Sequence, residues 1–543
     1  MTGTGLVTET ATKNVRKGLV LAILGVCFLV VMMDNTILNV ALQTLQQSLD
    51  ATNSQLQWSV DSYILVYAAL MFFAGVLADS YGRRRMLVIG LLIFGAASAL
   101  SAYSGTPDQL ILWRAVMGLG GAVVPAATLA TIKHVFPPSE QGKAMGVWAA
   151  LGGLSVAFGP IIGGALLARF WWGSVFLINV PVVVVVVVLM LIFVPETRAA
   201  RRPKMDLLGV LLSITATGAV VYGVIRGGET NHWMSVDALG AVLAGVVLAV
   251  VLVFVERRQA DPALDVTLFR SGPFTAGTLS ISLSFFALTG GTFLLVFYVQ
   301  LVRGYHPLQL GLVLLPVAIG SVISAISGAG LVAKRGARLV VITGLVLLVI
   351  SLLGLFRIGA GTNLWVLELI LFAAGLGMGF VMSTTTTLAM SVVGPQKSGA
   401  GAAVNNTIRQ IGAALGVAVM GSVYSIQYRA NLGSTLTALH IPLPSAASDS
   451  LSGTLLAAQD LLHDPRTAQL VAPAIPGVID QAKSAFVSAM HTSVLIAAIV
   501  LAVAVALAAI WLPGRNTVVA VDANATSGKE KTNDTADSVA GAT

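Results

Sequence analysis

The sequence has few charged residues and almost no cysteine. Asp, Glu, Lys and Arg make up 10% of its 543 residues, whereas a soluble domain carries about 25%. The single cysteine, Cys27, excludes an intramolecular disulfide and any metal site that needs several cysteines. The six histidines show no metal-ligand spacing, and no segment matches the phosphate-binding pattern G-x-x-x-x-G-K-[ST]. A soluble protein, a metalloprotein and a protein with its own ATP site are therefore disfavoured.

Long apolar runs are what the sequence does contain. It is 56% hydrophobic, and a helix of roughly 20 apolar residues crosses a bilayer core of about 30 Å. Backbone polar groups in lipid must be hydrogen-bonded within their own helix, so we predict an all-α polytopic membrane protein. The 56 glycines fit close packing between membrane helices. The fourteen predicted spans are 19–41, 57–77, 86–104, 109–132, 144–168, 173–194, 206–226, 236–255, 273–299, 308–332, 338–358, 364–390, 402–427 and 485–512.

The basic residues alternate between two sets of loops. If all fourteen spans cross, twenty-two of the 31 Lys and Arg residues lie on one side and seven on the other. The positive-inside rule then places both chain termini in the cytoplasm. The first apolar run is too long for a signal-peptide core, so we expect it to remain as a span. The net charge of +8 is spread over short clusters, which argues against nucleic-acid binding.

A turn rich in glycine and arginine joins the second and third predicted spans. Residues 75–85 read GVLADSYGRRR, and a glycine before the arginines permits backbone geometry that other residues resist. Arginines alone would serve to anchor the topology, but anchoring does not explain the spacing of the glycines and the acid. The segment resembles the loop signature of the major facilitator superfamily. The resemblance implies a charge network that latches the two halves together, formed here by Asp79, Arg83 and Arg85, with Gly75 and Gly82 as further residues of the latch motif.

A degenerate copy of this signature, GAGLVAKRGARLVV, occurs in the second half with Ala333 in place of the acid. The copy implies two related six-helix bundles, and the seventh and eighth spans then form an inserted pair. This pattern resembles the fourteen-span drug:proton antiporters, which have a major facilitator fold. The predicted segments are a cytoplasmic tail at 1–18, a first bundle at 19–194, an inserted pair with linkers at 195–272, a second bundle at 273–513 with an extracytoplasmic loop at 428–484, and a disordered cytoplasmic tail at 514–543.

The fifth span carries a second motif, GGLSVAFGPIIGG. Proline removes a backbone hydrogen bond, and glycines expose the helix surface for close packing. An ordinary kinked packing helix is the alternative interpretation. The motif resembles that of the antiporters, and the resemblance implies export across the bacterial cytoplasmic membrane. The layout of the whole chain is similar to that of the quaternary-ammonium-compound exporters. The first span departs from the family at Gln43, where proline is usual. The motif residues are Gly153, Gly159, Pro160, Gly163 and Gly164.

Three charged residues fall inside the first six predicted spans. A charge at the bilayer centre costs about 3 kcal/mol on the insertion scale, so such residues are functional candidates. The helix rise places Asp34, Asp61 and Arg114 in one layer. We predict that Asp34 carries the proton and senses the cation, that Arg114 tunes it, and that Asp61 is a second titrating or substrate-binding acid. For Asp61, an interfacial position beside Trp58 is the alternative.

Polar and aromatic residues elsewhere in the spans are further candidates for the substrate cavity. Each could equally well bond to a neighbouring helix. Few acids lie in the second half, so a monovalent or neutral lipophilic compound is favoured over a divalent cation. These additional substrate-binding candidates are Asn39, Tyr63, Asn179, Tyr298, Gln300, Glu368 and Asn405.

The predicted function is therefore proton-coupled antiport that exports lipophilic drugs, either cationic or neutral. The proton gradient drives it, so no cofactor is expected, and the partners are drug molecules, protons and membrane lipids. We expect a monomer that uses no ATP and binds no nucleic acid. An exporter of an endogenous lipid, siderophore or antibiotic is the main alternative. A membrane enzyme or receptor is a remote one, because no catalytic constellation or large ectodomain is present.

Overall fold

The computed structural model describes residues 17–198, 207–230, 232–258, 266–392, 398–439, 450–463 and 475–512. Across these ranges the regular structure is helical. Most of the predicted N-terminal tail and all of the predicted C-terminal tail lie outside the described residues, as do parts of the linkers around the inserted pair. Those predictions therefore stay predictions.

The first half of the chain forms six membrane helices, two of which consist of two pieces. A capping box begins α2, because the Thr52 hydroxyl accepts a hydrogen bond from Gln55 N at 3.2 Å and Gln55 Oε1 accepts one from Thr52 N at 3.1 Å. The helices are α1 (Lys17–Leu49), α2 (Asn53–Tyr81), α3 (Arg83–Ala102), α4 (Pro107–Gly121) with α5 (Val123–Val135), α6 (Pro138–Leu167), and α7 (Ser174–Leu177) with α8 (Asn179–Phe193).

The rest of the chain holds an inserted pair and six further membrane helices. A π-helical turn precedes α10, and a second one extends α11. The helices are α9 (Leu207–Thr230), α10 (Ala241–Arg258), α11 (Gly272–Phe297), α12 (Pro307–Val313) with α13 (Leu315–Arg335), α14 (Ala337–Leu355), α15 (Leu364–Val392), α16 (Ser398–Leu439), the short α17 (Leu451–His463) and α18 (Ile475–Trp511).

The helices match the predicted spans one by one. Twelve are long and apolar enough to cross a membrane, or up to thirteen if the bent α2 counts as one span. In α6 the described apolar segment is the shorter Phe158–Leu167. The count of fourteen is compatible with this structure. The segment predicted as the loop 428–484 is partly helical, because α16 runs on to Leu439, α17 lies inside it, and α18 begins at Ile475.

The two halves are joined at one end of the bundle, where α1 ends and α2 begins. Gln300 Nε2, just beyond α11, donates a hydrogen bond to Val40 O of α1 at 3.2 Å. Ser452 Oγ of α17 donates one to Gln46 Oε1 of α1 at 2.6 Å. The α2 helix packs along α16, and α6 packs against α12 and α13. These contacts close the seam between the halves at that end.

The inserted helix α9 packs against both halves, because it contacts α2 on one side and α16 on the other. Trp58 of α2 lies with its ring centroid 6.4 Å from that of Tyr222 in α9. On the other side, Ser422 Oγ of α16 donates a hydrogen bond to Val224 O at 3.1 Å. The α10 helix lies against α9, and a Cβ at Gly245 would come within 2.6 Å of Ala216 O. The pair therefore covers one side of the seam.

Candidate functional site

A fully buried ion pair links α1 to α4. Asp34 and Arg114 are both 0% exposed, and Arg114 Nη1 pairs with Asp34 Oδ2. A charge taken out of water is costly unless it is paired and hydrogen-bonded. The two residues predicted to form a charge-tuning pair are thus brought into direct contact, although they lie 80 positions apart in the sequence.

The second oxygen of Asp34 is also bonded. Asn179 Nδ2, at the start of α8, donates hydrogen bonds to Asp34 Oδ1 and to Ser98 Oγ of α3, both at 3.1 Å. Ser98 Oγ in turn donates to Phe176 O at 2.8 Å. Asn179 was predicted as a substrate-binding residue, but its amide is fully buried and holds the carboxylate of Asp34. Four helical pieces thus meet at one acid.

Arg114 is fixed by two residues of α2. Its Nε donates a hydrogen bond to Ser59 O at 3.1 Å. Its guanidinium carbon lies 4.4 Å from the ring centroid of Tyr63, whose hydroxyl donates to Val31 O at 3.2 Å. This cation–π contact gives Tyr63 a defined place beside the ion pair. Arg114 Nη2 has no acceptor among the described residues, so part of its hydrogen-bonding capacity is unused.

Asp61 lies apart from this pair. It is 0% exposed on α2, and neither of its carboxylate oxygens has a hydrogen-bond partner among the described residues. The neighbouring Ser62 donates to Ile111 O at 3.1 Å and so faces α4. Trp58, one turn earlier on α2, lies against α9. A wet interfacial position does not fit this burial. A buried carboxylate without a partner is costly inside a membrane domain, which makes Asp61 a functional candidate.

The remaining cavity candidates have different surroundings. Tyr298 Oη donates to Gly359 O at 2.7 Å, and Gln300 bonds to α1 as described above. Both residues therefore bridge segments of the protein. Asn39 is buried on α1, and Glu368 is half-buried on α15. Asn405 on α16 is buried, and its side-chain oxygen has no partner in the described part of the chain.

The signature turn between α2 and α3 forms a compact charge network. Gly82 has φ +115°, a region that residues with a Cβ rarely adopt. Arg83 Nη2 lies 2.8 Å from Asp79 Oδ1, and Arg83 Nη1 donates to Ala130 O of α5 at 3.2 Å. Gly75 lies one turn earlier on α2, where a Cβ would come within 3.2 Å of Ala126. Arg85 is exposed at this surface.

Glu196 completes the network, and sequence reasoning missed it. Its two carboxylate oxygens accept hydrogen bonds from Arg84 N at 3.1 Å and Arg85 N at 3.3 Å, at the N-terminus of α3. Arg83 N donates to Thr197 O at 2.9 Å. The signal available was an acid directly after the sixth span, on the same predicted side as the turn. The partners described here all belong to the first half, whereas the resemblance implies contact between the halves.

The glycines of the antiporter motif pack α6 against α1. A Cβ at Gly159 would lie 2.9 Å from Ile37 N, and one at Gly163 would lie 2.8 Å from Ile37 Cγ1. Thr36 Oγ1 donates to Ser155 O of α6 at 2.9 Å. Pro160 and Gly164 are buried in the same continuous helix, which also includes Gly153. The motif therefore holds α6 against the segment of α1 that follows Asp34.

Two bundles of apolar helices of membrane length that meet along a seam, with a buried ion pair in one of them, are the features of a multi-span membrane protein. The chain belongs to the Major Facilitator Superfamily, whose family model matches residues 24–417. This membership establishes the predicted fold class, and it identifies a transporter rather than an enzyme.

The chain is similar to exporters over most of its length. It is 34% identical over 510 residues to the multidrug efflux pump LfrA of Mycolicibacterium smegmatis, covering 93% of this chain and 97% of that protein. It is 33% identical to the tetracenomycin C resistance and export protein of Streptomyces glaucescens, over 72% of this chain and 73% of that one. In fold, it matches a bacterial homologue of the human lysosomal transporter Spinster in an inward-facing, occupied conformation, with a TM-score of 0.61 at 16% identity, covering 92% and 97%.

Proposed function

We propose that this protein is a proton-coupled antiporter that exports lipophilic, cationic or neutral drugs across the bacterial cytoplasmic membrane. The observation that carries the proposal is the fully buried Asp34–Arg114 ion pair, accompanied by the unpartnered acid Asp61. Ionisable groups inside a membrane domain are costly, so they are functional candidates by default. The similarity to a multidrug efflux pump over nearly the whole chain supports drugs as the substrate class.

In the proposed orientation both chain termini are cytoplasmic. The end where α1 finishes and α2 begins is then extracytoplasmic, and it is the end at which hydrogen bonds join the halves. The described conformation would therefore load its substrate from the cytoplasm. The excess of basic residues on the terminal side supports this orientation. The active unit is proposed to be a monomer in contact with membrane lipids, driven by the proton gradient without ATP or another cofactor.

The coupling step follows from the ion pair. While Asp34 is ionised, Arg114 and Asn179 satisfy its two oxygens, and its negative charge neutralises that of Arg114, so the site does not repel a cation. When the site opens outward, a proton on Asp34 removes that charge and weakens the hold on a cationic drug. Loss of the proton to the cytoplasm restores the ion pair. One acid can in this way bind proton and drug alternately, while Asp61 offers a second carboxylate for the same exchange.

The test is ethidium efflux from energised cells that express the wild type or Asp34→Asn at matched levels, with an uncoupler added midway. Wild-type efflux should stop on uncoupling, and Asp34→Asn should lose it. Asp50→Asn is the control, because it makes the same chemical change at an exposed residue beyond the end of α1. Retained efflux in Asp34→Asn would remove Asp34 from its proposed role. Wild-type efflux that continues at the same rate after the uncoupler is added would count against proton coupling.

A second candidate function is export of an endogenous lipid, siderophore or antibiotic by the same proton exchange. It is favoured by the similarity to the tetracenomycin C resistance and export protein, whose name combines resistance to a compound with its export. The two functions share the ion pair and differ in the ligand. Absence of ethidium efflux, together with uncoupler-sensitive export of a compound from the host's own extract, would favour this second function.

A further inference from the structure

We propose that Arg409 forms a binding site for a carboxylate group, so that lipophilic zwitterions belong to the substrates of this protein. The inference rests on the proposed export function and adds a substrate class to it. Arg409 lies on α16, in the second half, and is 4% exposed. Its Nε has no hydrogen-bond acceptor, and no carboxylate among the described residues forms an ion pair with it.

The contrast with Arg114 makes this isolation informative. Within the described part of the chain, Arg114 and Arg409 are the two arginines with buried side chains. Arg114 has a carboxylate within contact, a backbone acceptor and a stacked tyrosine. Within the described part of the chain, Nε of Arg409 has no acceptor, and its guanidinium carbon lies 4.9 Å from the ring centroid of Phe285 on α11. A buried guanidinium without an anion is unfavourable, so Arg409 offers binding capacity to an anionic group.

Other polar groups near Arg409 are unbonded as well. The Tyr67 hydroxyl lies on α2, which packs along α16, and it is buried without a hydrogen-bond partner among the described residues. Asn405 lies one helical turn before Arg409 on the same face of α16, and its side-chain oxygen has no partner. Among described residues, then, a guanidinium, a phenol and an amide are left with unused hydrogen-bonding groups in one region.

This region is fixed in place and lies between the two halves. Ser282 Oγ of α11 donates to Ile408 O at 2.8 Å, which fixes the backbone beside Arg409. A Cβ at Gly412 or Gly416 would meet the α11 backbone within 2.9 Å, so the two helices pack closely there. Tyr67 belongs to the first half and Arg409 to the second. A ligand held by both would thus bridge the seam that opens and closes during transport.

A carboxylate suits this geometry better than other ligand groups. The guanidinium presents parallel N–H donors that match the two oxygens of a carboxylate, and a phenol adds a further donor. Asp61 lies six residues before Tyr67 on α2, which corresponds to about 9 Å along the helix. For a compound with a carboxylate at one end and a cation at the other, Arg409 would bind the carboxylate, and Asp61, buried without a partner among the described residues, would supply the negative charge for the cation. A purely cationic compound would leave Arg409 without an anion.

The test uses two dyes that differ only at the carboxylate. Rhodamine B is a zwitterion, and its ethyl ester is a cation with the same ring system. Dissociation constants for both are measured by fluorescence anisotropy on the purified full-length protein in detergent. We expect Arg409→Gln to weaken rhodamine B binding roughly ten- to a hundredfold, as for a lost charge-assisted hydrogen bond. Binding of the ester should change less than about threefold on the same reasoning.

Three further variants keep the test decisive. Arg409→Lys retains the charge and should keep part of the affinity for rhodamine B. Tyr67→Phe removes one hydroxyl. It should weaken the binding of rhodamine B but not of the ester, by a smaller factor than Arg409→Gln does. Arg357→Gln makes the same change at an exposed arginine and should alter neither dissociation constant. An equal loss of affinity for both dyes in Arg409→Gln would overturn the proposal, because it would indicate that Arg409 serves packing beside Phe285.

Binding and export are separated by a parallel measurement of ethidium efflux. If Arg409→Gln changes neither dissociation constant while the wild type exports ethidium, the protein has no carboxylate site at Arg409. The proposed export function would still stand. A second outcome is that the wild type binds rhodamine B more tightly than its ester, loses that difference in Arg409→Gln, and exports no ethidium. This result would support the carboxylate site and count against drug export. Failure to bind rhodamine B at all would overturn the inference directly.

Discussion

Asn179 donates a hydrogen bond to Asp34 Oδ1 at 3.1 Å, so a residue from α8 holds the acid that α1 contributes to the buried ion pair. The same amide group also reaches Ser98 Oγ of α3. Asn179 is therefore placed to position Asp34, and the ion pair depends on three helices besides α4.

Substitution of Asn179 should impair coupled transport, and a substitution that introduces a negative charge should impair it more than a neutral one. Asn179→Asp places a second carboxylate beside Asp34, and like charges this close oppose simultaneous ionisation. We expect uncoupler-sensitive ethidium efflux to fall about tenfold or more, as for roughly 1.4 kcal/mol or more of lost interaction. Asn179→Ala removes the hydrogen bonds to Asp34 and Ser98 without adding a charge, and should reduce efflux less. Asn363→Asp, at an exposed turn, is the control and should export normally. Wild-type efflux in Asn179→Asp would show that Asp34 is not ionised during the cycle.

Gly82→Ala should lower stability through backbone strain. The φ of +115° is unfavourable for a residue with a Cβ, and that Cβ would lie 2.6 Å from Glu196 Oε1. Strain of this kind costs on the order of 1–3 kcal/mol. We expect a lower apparent melting temperature for the purified protein in detergent. Gly105→Ala is the matched control, because its Cβ would meet nothing closer than Gln109 Oε1 at 3.8 Å. Equal melting temperatures for both variants would contradict the strain.

Much of the fold could be predicted from the sequence, because apolar runs of membrane length and the asymmetry of basic residues are local signals. The pairing of Asp34 with Arg114 was predicted too, since charges within spans are rare and shared one depth. The roles of Asn179 and Glu196 were not predicted. An amide in a span can bond in any direction, and an acid after a span is usually solvated. Only the packing of α8 against α1 and α3 decides which partner each residue meets.

Glu196 should stabilise the N-terminus of α3. Its carboxylate accepts hydrogen bonds from two backbone N–H groups there, and a negative charge is favourable at a helix N-terminus. We expect Glu196→Ala to cost about 1 kcal/mol, as for loss of an N-cap. Glu196→Gln keeps an oxygen acceptor and should lose less. The apparent melting temperature in detergent measures both. If Gln and Ala destabilise equally, the charge is what stabilises the helix, and the hydrogen bonds contribute little.

The orientation can be tested with the single natural cysteine as background. Cys27 is buried in α1 and should not react with a membrane-impermeant maleimide. Gly105→Cys adds a thiol at the exposed turn between α3 and α4, on the proposed outer side. Glu140→Cys adds one at an exposed residue early in α6, on the opposite side. Intact cells should label only Gly105→Cys, and permeabilised cells should label both. The reverse pattern would place the termini outside and exclude the proposed direction of loading.

Gly159→Val should abolish transport by separating α6 from α1. A Cβ at Gly159 already comes within 2.9 Å of Ile37 N, so two further methyl groups cannot fit without moving one of the helices. Overpacking of this kind costs about 1–3 kcal/mol or more, and here it acts three residues from Asp34. Gly330→Val on α13 is the control, because a Cβ there has nothing within 4 Å. Efflux and melting temperature should both fall in the first variant and stay unchanged in the second. Full efflux in Gly159→Val would mean that the motif tolerates a wider gap, and close contact between α1 and α6 would then not be needed for export.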